Sequence, residues 1–249
     1  MVSVLRFYER SWRISCNSLL GFEYIFERKK EKTKMKKLLT VLIGLGISIG
    51  AFAQETSFGV KAGVNLGKYS NVPESAKDYQ KMNPSFYLTG YADLPVAPQF
   101  SIQPGISLQG KGDKYSYDSN DLDGSVTTNV MALEIPVNAV YYIPTGGSGS
   151  VFLGAGPYAA YSLSGKVKGK GNIGDIIGGE TEYDLDFGGD DRDQNAFDFG
   201  LNFMAGYRLA GGFTINAGYG LGLANLSPSD NSDNKFSNRV LSFGVGFQL

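Results

Sequence analysis

The chain has 249 residues, with 23 basic and 24 acidic side chains and no histidine. The missing histidine excludes enzymes that set a histidine base beside a nucleophile or an attacking water. Glycine, at 34 residues, is about twice its usual share and follows no collagen-like period.

Residues 1–34 show no sustained period. They hold the single tryptophan (Trp12) and the single cysteine (Cys16), and read as an over-extended N-terminal segment outside the fold. Residues 35–53 carry Lys36 and Lys37, an apolar run from Leu38 to Ile49, and Ala51-Phe52-Ala53. A basic start, an apolar middle and a small-x-small end make a secretory signal peptide cleaved before Gln54. The 10 basic and 4 acidic residues before Gln54 leave 13 basic and 20 acidic ones in residues 54–249, a net charge of −7. That charge argues against nucleic acid as a partner.

From Ser57 onward the pattern is alternation, the signature of strands with one apolar face. Strand one is predicted over 57–67 and strand two over about 84–94. Pro95 to Pro98 is read as a short turn, followed by strand three over about 100–111. A polar loop is expected from Gly112 to about Val126. Strand four then covers 127–143, Pro144 to Gly149 turns, and strand five covers 151–163. The longest loop is expected from Ser164 to about Asn195. Strand six alternates most regularly, with Phe197, Phe199, Leu201, Phe203, Ala205, Tyr207 and Leu209 against Asp198, Gly200, Asn202, Met204, Gly206 and Arg208. A turn at 210–212, strand seven over 213–226, a polar loop and strand eight over 239–249 complete the chain. Connections alternating long and short describe an all-β, eight-stranded antiparallel up-and-down barrel, with the long loops at one end.

Alternation does not say which face is outside. Bulky, aromatic apolar positions near strand ends suit a lipid-facing surface; those expected to face lipid are Phe197, Phe199, Leu201, Phe203, Tyr207, Phe213, Ile215, Leu241, Phe243, Val245 and Phe247. The opposite face mixes glycine with charge. Eight strands enclose an interior just wide enough for side chains, which accounts for the glycine excess. Charges in so narrow a lumen must pair. An interior polar network of Lys61, Lys111, Glu134, Asp198 and Arg208 is therefore expected, with Glu134 between basic partners, Lys61 and Arg208 foremost. The fold class is a transmembrane β-barrel over residues 54–249.

Phe58-Gly-Val-Lys-Ala-Gly-Val-Asn-Leu66 resembles the first strand of the Bacteroidota outer-membrane β-barrel family, the PorT-like or porin-family proteins. Phe100-Ser-Ile-Gln-Pro-Gly-Ile, Leu133-Glu-Ile-Pro-Val, Gly154-Ala-Gly-Pro-Tyr158 and Asp198-Phe-Gly-Leu look like that family's later strands in the same order. The chain departs from an aromatic last residue, ending on Leu249. The resemblance implies a Gram-negative outer-membrane protein and supplies no catalytic residues.

Other motifs carry less. Gly169-Lys-Gly-Asn-Ile-Gly174 matches GxGxxG but lacks the strand-before, helix-after setting that phosphate binding needs, and reads as coincidence. The acidic run Asp184 to Asp193 departs from the calcium-loop pattern and reads as a solvated loop, so no metal and no cofactor is expected. Glu134 and Asp198 are an acid pair only by elimination. The expected protein is non-enzymatic, with a side-chain-filled polar interior and acidic outward loops in a structural or surface-interaction role. Its expected partners are outer-membrane lipid and, through the loops, extracellular or other outer-membrane proteins. A narrow porin-like channel for small solutes is the alternative, and a soluble periplasmic ligand-binding barrel a further one.

Overall fold

The computed structural model of the chain describes residues 56–119, 122–173, 177–189, 192–228 and 235–249. Residues 1–34, read above as an over-extended segment, and residues 35–53, read as a signal peptide, lie outside the described residues. In chain order the elements are β1 (Ser57–Tyr69), a one-turn helix α1 (Glu74–Lys77), β2 (Gln80–Lys81), β3 (Asn83–Ala97), β4 (Phe100–Ser119) and β5 (Leu122–Pro144), then β6 (Gly149–Ile173), β7 (Ile177–Asp184), β8 (Phe197–Leu209), β9 (Phe213–Gly222) and β10 (Asn238–Gln248). Every pairing is antiparallel. The ring runs β1, β3, β4, β5, β6, β8, β9, β10 and closes where β10 pairs with β1, Val60 opposite Phe247 and Leu66 opposite Leu241. These eight strands are the barrel that the alternation predicts, and closure removes the open edges that a sheet would otherwise expose.

Side chains obey the period of two. On β8, Phe197, Phe199, Leu201 and Phe203 are exposed while Asp198 and Gly200 are buried. On β10 the exposed set includes Phe243, Val245 and Phe247, and on β9 Phe213 and Ile215. Tyr207 and Leu241 point the same way and are half-buried by neighbours. The interior alternates small with large. A Cβ on Gly206 would lie 2.4 Å from the ring of Phe152, and one on Gly156 only 1.9 Å from the backbone oxygen of Val137. Glycine at the first makes room for an aromatic ring, and at the second for a neighbouring strand.

Short connections cluster at one end. Only two residues join β3 to β4, with Gln99 in the left-handed region at φ 63. The turn read from Pro95 to Pro98 begins later, because Pro95 to Ala97 continue β3 through a register shift opposite Phe100 and Ser101.

The long-loop end departs further from the sequence reading. The loop expected from Gly112 to Val126 is strand, since β4 and β5 stay paired from Lys111–Val130 to Ser119–Leu122. The first part of the loop expected from Ser164 to Asn195 is strand as well: β6 continues to Ile173 and β7 pairs back along it from Ile173–Ile177 to Lys166–Asp184. The two-residue β2 adds to β4 through Gln80–Tyr115 and Lys81–Lys114. A five-stranded sheet thus projects beyond the barrel. Its two faces are both wet or mixed, so the apolar alternation that marks a half-buried strand is absent.

Strand seven also ends early, at Gly222 rather than 226. Leu223 and Ala224 donate backbone hydrogen bonds to the oxygen of Phe199, and Leu226 donates to that of Phe236. The chain turns inward there, burying Ala224 and Leu226 across the barrel mouth.

Candidate functional site: a polar lumen and a projecting sheet

Alternation aims every second residue of each strand at the axis, and the polar ones must satisfy one another because few water molecules fit beside them. The central group is built from three strands. Lys111 on β4 places its Nζ 2.9 Å from Glu134 Oε2 on β5 and 3.0 Å from Asp198 Oδ2 on β8. The second contact crosses the lumen. All three side chains are almost completely buried. Tyr158 lies beneath the ammonium, 4.4 Å from nitrogen to ring centre, and donates its hydroxyl to Asp198 at 3.3 Å. Asn238 Nδ2 donates to Asp198 at 2.9 Å, and Asn202 Nδ2 to Glu134 at 3.0 Å. One cation holds two acids, and neutral donors occupy further carboxylate lone pairs.

Sequence reasoning gave Glu134 the wrong neighbours. Neither Lys61 nor Arg208 reaches it. Lys61 sits lower in the barrel, donating to Gln103 Oε1 at 3.3 Å and lying 4.2 Å over the ring of Tyr91. Arg208 stacks 4.3 Å over the ring of Tyr142 near the short-turn end. The reason is register: Glu134 lies opposite Ser107 on β4, four residues from Lys111, and a long lysine spans that diagonal. The structure brings Lys111, Glu134 and Asp198 together and leaves Lys61 and Arg208 apart from them.

Two further acids, Asp93 and Asp113, are buried without being marked by the local sequence. Asp93 is the more richly bonded to side chains. Asp93 accepts from Gln103 Nε2 at 2.8 Å, Gln248 Nε2 at 3.1 Å and the Tyr142 hydroxyl at 3.2 Å. Its position on the inward face of β3 was readable, but nothing local marks it as a hub. Between the two groups lies a cavity of about 100 Å³. That is roomy enough for water, and Asn65 Oδ1, Asn138 Oδ1 and Asn216 Nδ2 on its lining find no protein partner. Below, a vestibule of about 960 Å³ opens at the short-turn end, bordered by Asp93, Tyr142 and Arg208.

The opposite end is covered. Tyr69 donates to Gln194 Oε1 at 3.2 Å and packs on Phe236 at 4.7 Å between ring centres. Asn195 Nδ2 donates to the backbone oxygens of Asn225 and Ser227, each at 2.9 Å. Gln80 Nε2 closes the remaining corner onto Asp113 Oδ2 at 2.9 Å.

On the projecting sheet, charge and aromaticity are segregated by face. The outward face carries a cross-strand ladder: Lys166 with Glu182 at 2.6 Å, Lys168 with Glu182 at 2.9 Å, and Lys170 with Glu180 at 3.3 Å. Hydrogen bonds from Lys166 and Lys168 lower the Glu182 carboxyl to about 2, and the same contact raises Lys166. The other face presents Tyr115, Tyr117, Val126 and Thr181 along a groove of about 700 Å³, with Tyr79 beside Tyr117 at 5.5 Å. Burial, reinforced by the charge of Asp113, raises the Tyr115 hydroxyl to about 12.

The remaining motifs fall into place. Gly169 and Gly171 are strand residues of β6, with β7 rather than a helix following, and Gly174 lies outside the described residues. In the acidic run, Asp186 Oδ1 accepts from Gly188 N at 2.8 Å and Asp193 Oδ2 from Asp186 N at 2.9 Å, forming a turn. Asp190 and Asp191 lie outside the described residues. Among the described residues no three metal-ligating side chains converge.

The family model for the outer membrane protein beta-barrel domain matches residues 52–227. The chain belongs to that outer-membrane β-barrel family. A comparison with curated proteins found no match. Among solved structures, this barrel is similar to Ail, the attachment invasion locus protein of Yersinia pestis, at 13% identity over 79% of this chain and 100% of that one, with a TM-score of 0.36. It is similar to Neisserial surface protein A at 15% identity over 79% and 99%, TM-score 0.39. It is also similar to OprG of Pseudomonas aeruginosa at 13% identity over 78% and 95%, TM-score 0.38. Within the outer-membrane barrel family the exposed apolar belt has a physical role, because aromatic and aliphatic side chains on the outside of a barrel are favourable where lipid replaces water.

Proposed function

We propose that this outer-membrane barrel is a non-enzymatic, non-conducting protein. Its lumen is closed and its projecting sheet is the working surface. The observation that carries the reading is the Lys111–Glu134–Asp198 group, which bridges the lumen from β4 to β8 with all three side chains buried. The cap of Tyr69, Gln194, Leu226 and Phe236 supports it at the long-loop end. On this reading residues 35–53 export the chain, Phe197, Phe199, Leu201, Phe203, Tyr207, Phe213, Ile215, Leu241, Phe243, Val245 and Phe247 contact outer-membrane lipid, and the long-loop end faces the cell exterior. The opening-strand resemblance supports a place among the Bacteroidota barrels. The sheet then meets extracellular or other outer-membrane proteins through an outward ion-pair ladder and an inner tyrosine groove.

Single-channel recording on protein purified from outer membranes tests this. The expected result is no stable conductance, and a steady open level would reject the closed lumen in favour of a narrow channel for small solutes. Heat-modifiable gel mobility after membrane fractionation tests the location, because a protein that appears without detergent would be a soluble barrel instead.

A further inference from the structure

The outward face at the long-loop end holds two classes of cation. Lys166, Lys168 and Lys170 each have an acid within salt-bridge range. Lys68, Lys81, Lys114 and Arg239 have none among the described residues; Arg239 directs its Nη1 to backbone oxygens of Gly222 and Asn238 and the hydroxyl of Ser237. The unpaired four also sit directly opposite one another. Lys68 is the cross-strand partner of Arg239, and Lys81 of Lys114. Like charges facing across a ladder are destabilising, so this chain places two unfavourable pairs in one slanting row over β10, β1, β2 and β4. All four point outward: Lys68 and Arg239 alternate with the buried Gly67 and Asn238, and Gln80 and Asp113, the inward neighbours of Lys81 and Lys114, bond inside the mouth.

Immediately below the row the same face turns apolar. Leu66 and Leu241 lie beneath Lys68 and Arg239, opposite each other. Met82 and Phe86 are exposed below Lys81. Strands lie about 4.8 Å apart, so the centres of the two cation pairs are separated by roughly 10 Å. A cation row with no acid paired to it among the described residues, directly above an apolar surface, is complementary to an anionic headgroup with acyl chains. Two pairs at that separation suit a headgroup with more than one phosphate.

We infer that Lys68, Arg239, Lys81 and Lys114 bind a glycolipid of the outer leaflet whose sugar headgroup carries two phosphates, its acyl chains lying on Leu66, Leu241, Met82 and Phe86. The assignment to the outer leaflet rests on the proposed orientation, with the long-loop end outside. The bound phosphates neutralise the two like-charge pairs, so the lipid completes the rim of the barrel. The Lys166–Lys170 ladder takes no part, because its acids already balance it.

The test uses the full chain purified in a neutral detergent. It is titrated with a disaccharide glycolipid bearing two phosphates, with its phosphate-free derivative and with phosphatidylglycerol, and read by native mass spectrometry. The expected result is at least tenfold tighter binding of the doubly phosphorylated glycolipid than of the other two. The variant Lys68→Gln/Lys81→Gln/Lys114→Gln/Arg239→Gln should lose that preference, while Lys166→Gln/Lys170→Gln keeps it. Without lipid, the four-site variant should keep its heat-modifiable band to at least the wild-type temperature, because repulsion has been removed, so lost binding is not lost folding. Undiminished preference in that variant, or equal binding of the phosphate-free lipid, overturns the inference. Equal binding of phosphatidylglycerol overturns the glycolipid assignment. Failure of the membrane reading would appear separately, as a protein absent from the membrane fraction.

Discussion

Replacing Lys111 with Met tests the centre of the lumen most directly. Methionine keeps the volume and removes the charge, leaving Glu134 and Asp198 buried without their cation. Breaking a buried ion pair from one side costs about 3–5 kcal/mol. Two acids are stranded here, but Asn202 still donates to Glu134, and Asn238 and Tyr158 still donate to Asp198. Those charged hydrogen bonds, worth ~1.5–3 kcal/mol each, hold the expected loss within that range rather than doubling it. Glu134→Gln is the informative partner. It takes the group from one cation and two anions to one of each and keeps the 3.0 Å contact between Lys111 and Asp198, so its cost should be only about 1–2 kcal/mol. The double variant should cost less than the sum of the two, by a coupling of about 1–3 kcal/mol. Residues 54–249 contain no tryptophan, so urea titration in neutral lipid vesicles is best followed by the heat-modifiable gel band. A Lys111→Met protein within about 1 kcal/mol of wild type, no more than an ordinary point substitution costs, would refute the buried-charge reasoning. So would a Glu134→Gln protein as weak as Lys111→Met.

Three other outcomes follow from the same geometry. Phe203→Arg, midway along β8 and facing out, should cost about 2–4 kcal/mol in a bilayer, against about 0–1 kcal/mol for Phe197→Arg at the strand end; equal penalties in a vesicle-refolding titration would contradict the lipid-facing belt. Gly156→Ala forces a Cβ to within 1.9 Å of the Val137 oxygen and should destabilise by about 1–3 kcal/mol through strand displacement, read as a lower urea midpoint. On the projecting sheet, a carboxyl NMR titration should find Glu182 at about 2, lowered chiefly by its hydrogen bond from Lys166. Because its folded value lies below the usual 4.5, its contribution is present above that pH and is lost as pH falls through about 2. Lys166→Gln should move the titration upward.

What the sequence disclosed follows one rule: legibility tracks solvent contrast. Strands β8 and β10 have apolar groups on one side and polar ones on the other, so Phe197 to Phe203 and Leu241 to Phe247 could be assigned to one face from the period alone. The same period placed Lys61, Lys111, Glu134, Asp198 and Arg208 inward, together with Asp93. It could not pair them, since the contact of Lys111 with Asp198 depends on the stagger of β4 against β5 and on the width of the lumen, neither of which is written in a local window. Above the apolar belt the contrast disappears. Tyr115, Tyr117 and Val126 alternate with Lys114, Ser116 and Ser125, and Lys166, Lys168 and Lys170 with Gly165, Val167 and Gly169, so β4 to β7 read as polar loops although they are hydrogen-bonded strands.

Leu223 to Leu226 fail in the opposite sense, because their apolar residues continue the pattern of β9 while the backbone leaves it. The chain leaves the ladder after Leu223 and Ala224, which share the Phe199 oxygen on β8, and Leu226 then donates to Phe236 instead. Burying Leu226 over the mouth removes its apolar area from water. A cap made from the end of a strand pattern and a sheet made from apparent loops have one setting in common: both lie beyond the exposed apolar belt, where the outer face is no longer apolar. The residues there are consequently free to serve closure, the cation row and the tyrosine groove, and they should tolerate substitution to a polar residue on the outward face far better than Phe203 or Ile215 do.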